Sequence, residues 1–91
     1  MKATREYELL NKYGMHVRPA GALAKLCQKF KSDITVEKDG RAVSGKSVLG
    51  LMTLEAPCGT RLQVIANGDD AQEALEEIGA LIANRFGILD E

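Results

Sequence analysis

Ile34-Thr35-Val36-Glu37-Lys38-Asp39-Gly40-Arg41-Ala42-Val43-Ser44 is the stretch that decides the fold. Ile34 to Lys38 alternates apolar and polar side chains, the period of a half-buried strand. Asp39-Gly40 is a strong two-residue hairpin signal, because the turn that matches strand twist needs residues that accept positive φ. Arg41 to Ser44 returns as the partner strand and is placed at the sheet edge.

Working outward, residues 3–9 mix charged and apolar types around Tyr7 and Leu9 and predict a first strand. Residues 11–15 form a loop. A helix follows over 17–30, with Ala20, Leu23, Cys27 and Phe30 on one face. Gly21 inside it costs ~1 kcal/mol relative to alanine, which points to something approaching the backbone there. After the hairpin, Ser47 suits an N-cap and a short helix fits 47–53, with a strand as the alternative, and Leu51 and Leu54 are assigned to the core. Ala56-Pro57-Cys58-Gly59 breaks the chain. Arg61 to Ala66 alternates again, with Leu62, Val64 and Ala66 on one face. Asp70 followed by Glu73 resembles a capping box. The last helix carries the stripe Ala71, Ala74, Leu75, Ile78, Leu81, Ile82 and Phe86, and Gly87 suits its C-cap. The order is β-α-β-β-α-β-α, a split βαβ pattern of the α+β class. It predicts a four-stranded antiparallel sheet with the helices on one face.

At 91 residues this is one domain, 1–91. Its 45% hydrophobic content includes only four aromatics, so the core is built from Leu, Ile, Val and Ala. A net charge of −1 offers no basic footprint for nucleic acid. No apolar run has the length to span a bilayer, and the N-terminus has no signal-like apolar segment. A cytoplasmic protein is expected. Cys27 and Cys58 match no metal-ligand spacing, so no metal and no cofactor are expected. Cys27 reads as a small buried hydrophobe and Cys58 lies in a turn.

The chemistry concentrates in Gly14-Met15-His16-Val17-Arg18-Pro19, which holds the only histidine. A neutral-pH nucleophile and a fixed cation sit where a loop becomes a helix. The first turn of a helix has amide groups without intrahelical partners and a partly positive end, so it binds phosphate readily. Arginine adds a planar fork of donors for phosphate oxygens. Pro19 suits the first turn, where its missing N–H is not needed. The bland alternative is a histidine that merely caps the helix or lies on the surface.

Gly-Met-His-Val-Arg-Pro-Ala at 14–20 closely resembles the G-[LM]-H-A-R-P-A signature of the HPr family. These are the histidine-containing phosphocarriers of the bacterial phosphoenolpyruvate:sugar phosphotransferase system. Gly45-Lys46-Ser47-Val48-Leu49-Gly50-Leu51-Met52 resembles the family's second signature, around a regulatory serine. The resemblance covers essentially the whole chain and implies an open-faced β-sandwich with four strands and three helices. It implies that His16, assisted by Arg18, accepts a phosphoryl group from phospho-Enzyme I, itself charged by phosphoenolpyruvate. His16 then passes the group to sugar-specific IIA domains. The chain would be a phosphoryl-transfer intermediate, not a stand-alone turnover enzyme. The family's apolar contact patch, carried onto this chain, is Val48, Leu49 and Met52 beside Met15, Val17 and Ala20. Ser47 would be the target of an HPr kinase/phosphorylase where one exists. Val17 departs from the family's usual alanine. The alternative within the family is a regulatory or nitrogen-branch paralogue acting mainly by protein binding.

Lys25, Lys29 and Lys46 are expected to form a positive rim for acidic partners, and the Glu73, Glu76 and Glu77 cluster to be a solvated helix face. An acylphosphatase-like hydrolase would need an asparagine to orient water, and none sits in a suitable place. An RNA-binding module of the same strand order would need aromatics on its central strands, which carry Ile34, Val36, Leu62 and Val64 instead. A monomer is expected, because no second long apolar stripe remains uncovered.

Overall fold

A computed structural model of the chain describes residues 1–88. Strands β1 (Lys2–Glu8), β2 (Asp33–Lys38), β3 (Arg41–Ser44) and β4 (Arg61–Asn67) form one antiparallel sheet in the order β1-β4-β2-β3. Helices α1 (Val17–Cys27), α2 (Val48–Met52) and α3 (Ala71–Ala83) complete the β-α-β-β-α-β-α order, followed by a 3₁₀ turn at Arg85–Gly87. The hairpin forms as the sequence predicts. Asp39 and Gly40 take φ of 49° and 84°, and β3 lies at the sheet edge.

Register sets the two faces. Val36 pairs with Val64 and Ile34 with Ala66, and all four side chains are buried. Leu62 is buried too, opposite the half-buried Tyr7 of β1. The alternate residues Arg61, Gln63 and Asn67 of β4 are exposed. The buried set joins Leu23, Ala24 and Cys27 of α1 and Ala74, Leu75 and Ile78 of α3 in one core. Each such leucine or isoleucine contributes about 1.5–3 kcal/mol on leaving water. Tyr7 also fixes the helix layer: its hydroxyl donates to the Leu75 carbonyl. Burial raises the pKa of that phenol. A Cβ on Gly79 would lie 2.9 Å from the Tyr7 ring, so α3 approaches β1 closely there.

The helix ends depart from the sequence reading in instructive ways. The first helix stops at Cys27, three residues early, because Lys29 and Phe30 bond to Leu26 and Cys27 in tightened i to i−3 turns. Phe30 is nonetheless buried. Leu9 falls outside β1 but continues its pairing irregularly: its N–H donates to Thr60 and its carbonyl accepts from Gly59. Asp70 does stand at the N-cap of α3, but the capping box does not form. Its carboxylate instead accepts from the Lys31 amide at 2.8 Å, the Ser32 amide at 3.0 Å and the Ser32 hydroxyl. These bonds hold its pKa below the usual aspartate value, the serine hydroxyl foremost. The last helix ends at Ala83, and Arg85, Phe86 and Gly87 all take positive φ. Phe86 therefore reaches the core from a left-handed turn, not from the helix. Among the described residues Gly21 has no neighbour within 4 Å of the position of a Cβ, so no close approach among them explains it. Cys27 is buried, and burial pushes its thiol up to about 12; Cys58 is exposed. Among the described residues no helix is long and apolar enough to cross a membrane.

Candidate functional site

The approach to α1 is built around a clamped turn. Gly14 N–H bonds to the Asn11 carbonyl at 3.1 Å, and the buried Asn11 amide donates back to the Gly14 carbonyl at 2.7 Å. Gly14 takes φ +64°, and a Cβ there would lie 2.1 Å from the Ala56 carbonyl oxygen. Only glycine fits that position. Met15 N–H then bonds to the same Ala56 oxygen at 2.8 Å. The loop before β4 thus holds the chain in place one residue ahead of the histidine.

His16 is the N-cap of α1, with extended backbone (φ −94°, ψ −170°) and a half-buried side chain that makes no cap hydrogen bond. Its carbonyl accepts the first helical bond, from Ala20 N–H at 3.0 Å. Pro19 carries no N–H, and the amides of residues 17 and 18 lie ahead of that bond, at the positive end of the helix. Arg18 is exposed on this first turn. A histidine and an exposed arginine therefore adjoin the N-terminus of α1, an arrangement suited to an anion. The ring of Tyr13 lies 6.2 Å from that of His16 at 78°, and the Lys12 ammonium lies 5.3 Å from the Tyr13 ring centre. The sequence reading passed over both residues; the Asn-x-x-Gly spacing of a turn was the signal that would have found them.

Ser47 caps α2 as expected, its Oγ accepting from Gly50 N–H at 3.0 Å. The Gln28 amide donates to the Lys46 carbonyl at 3.0 Å, which docks this corner beside the C-terminal end of α1. His16 caps the opposite end, about 16 Å away along an 11-residue helix. Lys46 does not join a rim, because its ammonium is turned in to the Phe30 carbonyl at 2.8 Å. Lys25 and Lys29 are exposed.

The apolar patch is smaller than the sequence implied. Met15 and Ala20 are buried in the core, so they support the surface from beneath and do not form part of it. Ala20 belongs to the apolar face that anchors α1, and Met15 lies in the loop ahead of it. Val17 (57% exposed), Leu49 (77%) and Met52 (37%) remain outside, with Val48 half-buried against the core.

Residues 3–84 match the family described as the PTS HPr component phosphorylation site. The chain belongs to the HPr phosphocarrier family. It is 40% identical to the phosphocarrier protein HPr of Cupriavidus necator over 83 residues, covering 91% of this chain and 93% of that one. The crystal structure of an HPr from Thermoanaerobacter tengcongensis superposes with a TM-score of 0.90 at 38% identity, covering 94% of this chain and 97% of that one. The HPr-like protein Crh of Bacillus subtilis is 41% identical over 78 residues, 86% of this chain and 92% of Crh. A crystal structure of Crh, described as a swapping-domain dimer, matches with a TM-score of 0.74 at 40% identity, covering 88% of this chain and 92% of that one. HPr structures thus confirm the fold expected from the sequence, while the Crh dimer leaves the expected monomer without support.

Proposed function

We propose that the chain is a phosphoryl relay in which His16 takes the phosphoryl group from phospho-Enzyme I and gives it to IIA domains. The observation that carries this reading is the placement of His16. It ends a clamped loop and begins α1, half-buried at the helix's positive end. In the first transfer the ring nitrogen forms a bond to phosphorus as the donor's bond breaks, and in the second the acceptor forms its bond to phosphorus as the nitrogen–phosphorus bond breaks. Arg18 and the first-turn amides neutralise the phosphoryl oxygens. The proposed setting is the cytoplasm, with no cofactor. Val17, Leu49 and Met52 form the apolar contact for both partners. Ser47 is the proposed regulatory site for an HPr kinase/phosphorylase. A phosphate there places charge beside Leu49 and Met52 and so acts on partner docking.

The test is label transfer from phosphoenolpyruvate through Enzyme I to wild type and His16→Ala, followed by a chase into a IIA domain. Label that enters wild type alone and leaves with IIA supports the relay. An intact wild type that takes no label sinks it. The similarity to Crh favours one second reading, a regulator that works by protein binding. It would give a folded chain that binds its partner equally well with His16→Ala. The monomer we propose for the relay gives the mass of one chain in sedimentation; the mass of two would overturn it.

A further inference from the structure

Building on the reading of His16 as the acceptor, we propose that Tyr13 is a positioning residue that fixes the plane of the His16 imidazole. Lys12 and Tyr13 occupy the two central positions of the Asn11–Gly14 turn, which its hydrogen bonds close at both ends. The backbone under Tyr13 is therefore rigid, although its side chain is 62% exposed and contributes little to the core. A rigid turn that presents an aromatic to solvent is unexplained by folding alone. The ring meets that of His16 edge to face, at a centroid distance of 6.2 Å. That lies within the range of favourable aromatic pairs, about 4.5–7 Å. The Lys12 ammonium lies 5.3 Å from the Tyr13 ring centre, close enough to hold it by a cation–π contact. Ammonium, phenol ring and imidazole form a short series in which each member restrains the next.

The chemistry gives that restraint a use. The lone pair of an imidazole nitrogen lies in the ring plane, so phosphorus must arrive within that plane and in line with its leaving group. The terminal torsion of histidine is otherwise broad. Holding it raises the share of rings aligned for attack. In the step itself the ring nitrogen bonds to phosphorus, the donor leaves with the electrons of the broken bond, and the other ring nitrogen keeps its proton.

The test separates the ring from the partners by using phosphoramidate, a small donor that phosphorylates histidine without Enzyme I. Wild type, Tyr13→Ala and Tyr13→Phe are compared for the rate of His16 phosphorylation and for the ¹⁵N resonances of the imidazole. Amide spectra show that each variant is folded. Tyr13→Ala is expected to slow phosphoramidate labelling about three- to tenfold and to move the imidazole resonances, and Tyr13→Phe to restore both. A wild-type rate with unmoved resonances in Tyr13→Ala overturns the assignment. So does a loss confined to Enzyme I, which would make Tyr13 a docking contact. A wild type that Enzyme I cannot label, yet whose phosphoramidate rate depends on Tyr13, would sink the relay and leave Tyr13's role standing.

Discussion

Two helix starts in this molecule carry residues marked out by the sequence, and they use their caps in opposite ways. At the start of α2 the Ser47 hydroxyl closes the helix by accepting from Gly50 N–H. At the start of α1 the His16 ring makes no cap hydrogen bond, and backbone contacts to Asn11 and Ala56 hold the end instead. The difference teaches that a cap side chain can be spared the capping bond where the surrounding loop does its structural work. The third start, at Asp70, is a further variant, because its carboxylate ties the loop after α1 to the start of α3.

The largest effect is expected from breaking the loop that supports His16. Gly14→Ala places a methyl group into the Ala56 carbonyl and forces an L-residue to φ +64°. It should cost about 3 kcal/mol or more in denaturant unfolding. Native stability in that variant would show that the loop can move away from Ala56.

Next comes Asp70→Asn, which removes the charge from three donors. Because the folded pKa of Asp70 is depressed, its stabilisation is complete above the ordinary aspartate value and is lost as pH falls through the lower folded value. The thermal midpoint should drop at neutral pH, and the gap from wild type should close below about pH 4. A gap that does not vary with pH would contradict this account of the third helix start.

Ser47→Ala sharpens the contrast with His16. Losing the cap should cost about 1 kcal/mol, while Ser47→Asp, which can still cap, should cost less. His16→Ala removes no cap hydrogen bond, so its thermal midpoint should stay nearer that of wild type. Equal losses at the two positions would erase the distinction drawn between them.

The smallest effect is a gain. Gly21→Ala meets no neighbour within 4 Å among the described residues, in a helical position, so it should stabilise by about 0.5–1 kcal/mol. If that variant also loses phosphoryl transfer, the space above Gly21 is where a partner's backbone approaches.

The architecture was legible because it is written in periodicities. The alternation of Ile34 to Lys38, the Asp39-Gly40 turn and the stripes of both long helices each state which face is buried. The position of His16 at a helix start followed from Pro19 and the apolar spacing behind it. What could not be read depended on groups meeting across the fold. Asp70 was legible as a cap, but Ser32, far away in sequence, takes its carboxylate. Met15 and Ala20 read as contact residues because they flank the histidine, yet both are buried, Ala20 by the register of α1 and Met15 in the loop tied to Ala56. Lys46 looked like a surface charge until the Phe30 carbonyl was found beside it. The left-handed turn at Arg85–Gly87 left no periodic trace, since Phe86 keeps the helical spacing while the backbone leaves the helix.

The most direct measurement locates the phosphate after Enzyme I and phosphoenolpyruvate have loaded the chain. Tandem mass spectrometry under neutral conditions, with a matched sample exposed to acid, reads both its position and its lability. The account predicts one phosphoryl group on His16, lost in acid and absent from His16→Ala. A phosphate that survives acid, or one that His16→Ala still acquires, would contradict it.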